Sequence, residues 1–200
     1  YILVQNYANL TVEDMNLDGT NLDKWSGTDG DSYVLSNNSG TVTITGATNI
    51  TANNDGDKAF AFDVCKYANY AVPTVNVNTT GTIAGKIEVS EGISNNLNIK
   101  DGSFTNPIAE AWCAVGYIPT TEVVGGITYY TVKVGEYVAQ VNDGAKYESL
   151  VEAYDAAQSG ATVKLLKNAT GAGLKINKDI TVDFGGKTYT INQAVGSTGT

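Results

Sequence analysis

Thr41–Ile50 reads TVTITGATNI, and this stretch decides the fold. Val42 and Ile44 flank Thr43 at the period-two spacing of a strand that turns one face inward. Gly46 and Asn49 follow as turn formers, and Ile50 opens a second strand toward the same interior. The pattern recurs irregularly. Leu10-Thr11-Val12 is followed by Leu17, Val75-Asn76-Val77 by Ile83, Leu97-Asn98-Ile99 by Phe104, and Ile180-Thr181-Val182 by Tyr189. A strand, a corner and another strand, recurring roughly every 20–30 residues, make a coil that winds onto itself. One such coil is too thin to bury its own inner face, so coils hold only as a stack. A β-sandwich also has short strands and frequent turns, but its hairpins favour two-residue turns, and most corners here are longer. The expected fold is all-β, with strands pairing in parallel from coil to coil about 4.8 Å apart.

Composition agrees. Charged residues make up only 16% of the chain, too few for the exposed faces of a helix bundle, while Gly, Thr and Asn suit strands and left-handed turns. The net charge of −9 argues against nucleic acid, which needs a basic face, and against an anionic membrane surface. No apolar run reaches the roughly 18 residues of a membrane span. All the basic residues are lysines. Without histidine the chain lacks a side chain that titrates near neutrality and a nitrogen metal ligand; without arginine it lacks a bidentate clamp for carboxylate or phosphate. Cys65 and Cys113 have no metal or redox spacing, and the sequence leaves open whether they are free thiols or a disulfide.

The middle of the chain departs from the repeat. Asn106 is placed to cap a short helix with Pro107 in its first turn, running through Ile108, Trp112 and Val115 to Gly116. Val123-Val124 and Ile127–Val134 flank Gly125-Gly126, a hairpin signal. Ser149-Leu150-Val151-Glu152 is a capping box, and Leu150, Val151, Ala153, Tyr154 and Ala157 form the apolar face of an amphipathic helix that Gly160 stops. A helix placed before a coil covers the apolar end and open edges of the stack. Strands are expected after it at Thr162–Leu166, Leu174–Ile176 and Ile180–Phe184. Three segments result: residues 1–105 as coils of a first stack, 106–142 as a helix–hairpin cap and connector, and 143–200 as a cap helix with the first coils of a second stack. Tyr1–Val4 already reads as strand and Gly196–Thr200 as a loop just entered, so a piece of a longer chain is expected.

Tyr147–Leu166, YESLVEAYDAAQSGATVKLL, resembles the opening of pectin-lyase-like domains in large surface proteins of gut bacteria, where such a helix precedes a strand and a Gly-Gly-Lys-Thr stretch, here Gly185-Gly186-Lys187-Thr188. Asn98–Phe104, NIKDGSF, is similar to the turn that ends their coil arrays, with Asp101 in place of a glycine. VQNYANLTVEDMNLDG, residues 4–19, resembles their coils. The resemblance covers nearly the whole chain. It implies a right-handed parallel β-helix, an extracellular protein that is secreted or anchored at a bacterial (or phage) surface, and a structural or adhesive role toward a surface glycan or protein. It does not imply lyase activity.

Two sets of residues are candidates for binding. Asp14, Asn16 and Asp18 place oxygens at alternate positions before Gly19, with Asp23 beyond, as in a calcium loop. Trp25 stands where a bidentate Glu belongs, and the same residues suit a polar corner. Thr28–Asp31 and Asn53–Asp57 are acidic loops of the same kind. No other cofactor is expected. Trp25, Tyr33, Tyr67 and Tyr70 fall in or beside loops, where rings stack on sugar faces or pack the loops down. Asp63 and Asp183 are strand carboxylates with no reason in the sequence to meet, so no enzyme is expected.

Overall fold

The computed structural model describes residues 1–54 and 56–196; Asp55 of one acidic loop and the last four residues of the expected terminal loop lie outside it. The chain is mostly strand and divides into two compact units, Tyr1–Val134 and Gly135–Thr200.

The first unit is built by repeated passes. The opening pass contributes β1 (Ile2–Asn6), β2 (Leu10–Glu13) and β3 (Asn16–Asp18), and the second β4 (Ser32–Asn37), β5 (Thr41–Gly46) and β6 (Asn49–Thr51). The third gives β7 (Ala59–Val64) and the long β8 (Thr74–Ala84), the fourth β9 (Lys86–Val89) and β10 (Leu97–Phe104). One sheet runs β1-β4-β7-β9, all parallel. The other runs β2-β5-β8-β10, also parallel, with β3 and β6 continuing along the same direction beside β8.

Register explains why the passes stay together. Leu10, Val42, Val75 and Leu97 are laterally paired, as are Val12, Ile44, Val77 and Ile99, and likewise Leu17, Ile50, Ile83 and Phe104. Val4, Leu35, Phe62 and Ile87 form a fourth row across the first sheet. All four rows enter one apolar cluster, in which Val42, Ile44, Val75, Val77, Leu97 and Ile99 are fully buried. A slip of one residue would turn a whole row to solvent, so burial fixes the pairing. The ladder is parallel throughout these passes, which excludes the antiparallel sandwich.

Polar side chains hold the corners. Buried Asn6 donates from Nδ2 to Asn37 Oδ1 at 2.8 Å and to the Ser39 carbonyl at 3.0 Å, and Asn37 donates to the Thr74 carbonyl. At the second corner Thr79 Oγ1 lies 3.0 and 2.9 Å from the Gly46 and Thr48 carbonyls, which share its one hydroxyl hydrogen where the ladder bends. Gly81 is required there, because a Cβ would lie 2.0 Å from the Thr48 carbonyl oxygen.

β11 (Tyr117–Val124) and β12 (Ile127–Val134) form the expected hairpin, and Gly125 and Gly126 take φ of +60° and +80° at its turn. β12 meets β10 through Phe104 and Tyr130, so the hairpin belongs to the first unit. The short helix expected from Pro107 to Val115 does not form. Ala109 is extended with no side-chain cap, and only a single 3₁₀ turn, Glu110–Trp112, remains. Ile108 is drawn into the first core, Trp112 packs on it, and Cys113 bridges to Ile99. Tertiary packing overrides the capping signal.

In the second unit β13 (Ala139–Val141) pairs antiparallel with β14 (Lys146–Tyr147) and with β15 (Thr162–Leu165), so the segment expected as connector is divided between the units. The helix α1 (Leu150–Ala156) begins as expected, with Ser149 Oγ accepting from Glu152 N at 3.1 Å. It ends before Gly160, since Ala157 is already extended. Leu150, Ala153 and Ala157 pack with Ala139 and Val163 into a second core. β16 (Ala169–Ala172) and β17 (Thr181–Asp183) follow, then β18 (Tyr189–Gln193); β15 pairs with β17 and β16 with β18, both in parallel. Leu174–Ile176 is not the expected strand. Leu174 lies on the second core, and the chain beyond it is tied through Asn177 N to the Tyr154 hydroxyl.

If the rows carry the first unit, adjacent residues of one strand must differ sharply. Ile44→Ala is expected to destabilise by about 2–5 kcal/mol. Outward Thr43→Ala should change stability by less than about 0.5 kcal/mol. Urea unfolding of both variants measures the contrast, and equal losses would contradict the assigned faces.

Candidate functional site

Strand side chains alternate, so the residue beyond buried Phe62 turns to the opposite face, and that residue is Asp63. Register places Gln5, Ser36, Asp63 and Glu88 side by side across β1, β4, β7 and β9. Nearer the strand starts, Ile2, Tyr33 and Phe60 are paired in a second row, with the Tyr33 ring stacked on Phe60 at 5.1 Å and 15°; Ile2 and Tyr33 also reach the cleft described next. The Gly19–Asp31 segment folds over one side of these rows and brings Trp25, Asp29 and Asp31. Cys65 and Tyr67 close the other. Together they line a cleft of about 220 Å³.

Its aromatic walls come from residues distant in sequence. Trp25 lies 5.9 Å from Tyr1, centroid to centroid. On the opposite side Tyr67 stacks with Tyr70 at 6.2 Å, and Tyr7 lies 4.8 Å from Tyr70. Tyr1, Trp25, Tyr67 and Tyr70 are all 40% or more exposed, so these residues remain open to solvent although their rings touch one another. The bulge Cys65–Pro73 is thus neither a fully packed plug nor a bare loop. Of the four aromatic candidates, Trp25, Tyr33 and Tyr67 line the cleft, and Tyr70 stands behind Tyr67.

The floor is acidic. Asp63 is only 3% exposed and accepts hydrogen bonds from Asn37 N at 2.5 Å and Ser36 Oγ at 3.0 Å. Burial pushes its pKa up to about 6; the two hydrogen bonds oppose the rise, and the neighbouring Glu88 charge adds to it. Glu88 accepts from the Tyr33 hydroxyl at 2.7 Å. Burial first, and then the bond to Glu88, raise the pKa of Tyr33, which stays a donor in any working pH range. Asp31 Oδ1 is buried and receives no hydrogen bond; Lys58 Nζ lies 3.3 Å away, an ion pair by distance but without donor alignment. Burial also raises the Cys65 thiol, which therefore stays protonated near neutral pH; both cysteines are free.

The Asp14–Asp23 stretch is arranged differently from a loop curled around an ion. Asn16–Asp18 is strand, paired with Asn49–Thr51. Asp14 Oδ1 accepts from Ala47 N, Asn16 Oδ1 from Asn49 Nδ2, and Asp18 Oδ1 from Thr20 N and Oγ1. The Thr20 hydroxyl, and then its amide, hold Asp18 below the usual carboxylate range. Asp23 follows in irregular chain. Among the described residues no three acidic or cysteine side chains gather as a metal site.

Glu88 and Tyr1 were not legible as site residues, and Asp31 was legible only as part of the acidic loop Thr28–Asp31. Asp63 was visible only as an isolated strand carboxylate, and its company is Asp31 and Glu88; Asp183 belongs to the other unit. The available signal was register: Ser36, Asp63 and Glu88 each sit at one place in successive passes. Comparison of the chain with protein-family models, with curated proteins and with solved structures gives no match.

A folded Asp63 that keeps its proton to about pH 6 binds it more tightly than an unfolded aspartate does. Its contribution to stability is fully present below about pH 4 and lost as pH rises through about 6. Asp63→Asn removes that dependence. The variant is expected to gain on the wild type between pH 4 and 7 in thermal melts, and a constant difference across that window would refute the assignment.

Proposed function

We propose that this chain is a non-catalytic, adhesive segment of an exported bacterial surface protein, and that it binds carbohydrate in the cleft above β1, β4, β7 and β9. The observation that carries the reading is the meeting of Trp25, Tyr33 and Tyr67 with Asp31, Asp63 and Glu88 in one recess. Exposed rings offer flat apolar faces for the CH-rich side of a sugar, and fixed carboxylates accept from its hydroxyls. The matched rows of parallel strands support the finer fold reading, a right-handed parallel β-helix like the pectin-lyase-like repeats that the sequence resembles. In that reading the stack is a stiff scaffold and the cleft a contact point on its flank.

The non-catalytic reading rests on the residue inventory. The chain has no histidine or arginine, and the Ser36, Asn37 and Tyr33 donors already engage Asp63 and Glu88. A second reading, cleavage of a polysaccharide, draws on Asp63 alone, whose pKa of about 6 suits a general acid. Release of reducing ends from a polysaccharide panel, abolished by Asp63→Asn, would favour it over simple binding.

The binding reading is tested on a glycan array followed by calorimetry on the strongest ligand. Trp25→Ala and Tyr67→Ala are each expected to weaken binding at least about tenfold, as loss of a stacking face does. Tyr70→Ala, behind the wall, should cost less. Unchanged affinity in both wall variants overturns the proposal.

A further inference from the structure

We propose that Gly27 is a positioning residue of the cleft: it leaves the space in which the Trp25 ring lies, so that the Gly19–Asp31 arm presents that ring before any ligand arrives. Because Trp25 acts there as a sugar-facing wall, this role rests on the carbohydrate-binding reading and adds how the wall is held.

The close approach is specific to the ring. A Cβ on Gly27 would lie 2.6 Å from Cζ2 and Cη2 of Trp25 and 2.7 Å from Cε2, closer than carbon atoms pack. All three atoms belong to the six-membered ring of the indole, which therefore rests directly against Gly27. The main chain itself does not call for glycine at this position. Its φ lies outside the left-handed region, unlike that of Gly30 at +68°. Other side chains suit the backbone there, and none fits beside the indole. Tyr1 meets the same ring from the first pass, with centroids 5.9 Å apart.

The arm that carries the ring is tied down on both sides of it. Before Trp25, Gly19 N donates to the Thr51 carbonyl at 2.7 Å, Leu22 packs on the first core, and Asn53 Nδ2 donates to the Leu22 carbonyl at 2.9 Å. After it, Asp31 pairs with Lys58 at 3.3 Å. Trp25 N donates to the Asp31 carbonyl at 3.1 Å and closes the chain between them into a short loop. With the main chain held, the freedom left to Trp25 is in its side-chain torsions, and contact with Gly27 and Tyr1 takes that up. A ring set in this way loses little freedom on binding, so more of its contact energy is expressed as affinity. A methyl group at position 27 reverses this. The indole is the far end of a side chain that swings on two torsions, so the ring moves and the backbone stays. Stability then changes little while the wall is lost.

The chain has two tryptophans, Trp25 and Trp112, so Trp112→Phe leaves Trp25 as the one indole fluorophore and serves as the parent. Without ligand, Gly27→Ala is expected to shift Trp25 emission to longer wavelength and steepen its quenching by acrylamide, with the melting temperature held within about 2 °C. Affinity for the strongest glycan of the array should fall at least about tenfold, as in Trp25→Ala. The double variant Gly27→Ala/Trp25→Ala should bind no more weakly than Trp25→Ala, because two changes that act through one ring do not add. Gly144→Ala, whose Cβ meets the Val141 carbonyl oxygen at an ordinary 3.5 Å, should alter none of these readings. Unchanged emission and quenching in Gly27→Ala, unchanged affinity, additive losses in the double variant, or a large fall in melting temperature would each overturn the positioning role while carbohydrate binding stands. A blank glycan array would instead remove the underlying reading, and the role in binding with it, even where the fluorescence shows the ring displaced.

Discussion

Each pass of the chain through the first unit is one strand thick along the stack, and its few apolar residues cannot close a core by themselves. Lateral pairing of equivalent side chains is what the unit depends on. Val12, Ile44, Val77 and Ile99 lie in one row because each strand hydrogen-bonds to the same part of the next pass. The apolar burial and the ladder are then one constraint viewed twice. Hydrogen bonding sets a spacing near 4.8 Å, and branched side chains at that spacing fill the interior without gaps. Loops between the strands are free to vary, provided each returns the chain to register. The segment from Gly19 to Asp31 and the bulge from Cys65 to Pro73 use that freedom to wall the cleft.

The same constraint decides what was legible in the sequence. Rows built from Val, Ile and Leu at period two could be read directly, and Leu10, Val42, Val75 and Leu97 fall where their alternation places them. The β1-β4-β7-β9 sheet was harder. In Ser32–Asn37 and Ala59–Val64 most positions are buried, including Ser36, Asn37 and Asp63, so polarity no longer reports which way a side chain points. Ala169–Ala172 carries no apolar pattern and becomes strand only because Tyr189–Gln193 lies beside it. The false helix after Pro107 shows the opposite error, since a good local cap has no force once Ile108 is pulled into the core.

For the site, residue types were legible and company was not. Trp25 and Tyr67 stand out in any reading because large rings in polar loops need an explanation. That they face one another's side of a recess depends on two loops folding over a sheet whose register the sequence conceals. Glu88 had no local mark, reading as an outward residue of an edge strand, and Asp31 was marked only as a member of an acidic loop.

The acidic floor is the feature a scaffold alone does not explain. Outward positions on a parallel sheet lie one strand spacing from their neighbours, so Asp63 and Glu88 at one register repel, and burial of Asp63 adds to the penalty. Gln5 and Ser36 occupy the same row with no charge, which shows that neutral residues serve the ladder equally well. A pair of carboxylates held there against both burial and mutual repulsion, beneath exposed rings, lowers the stability of the unit that carries it. Stacking accounts for every apolar row in the unit but gives no reason for this one.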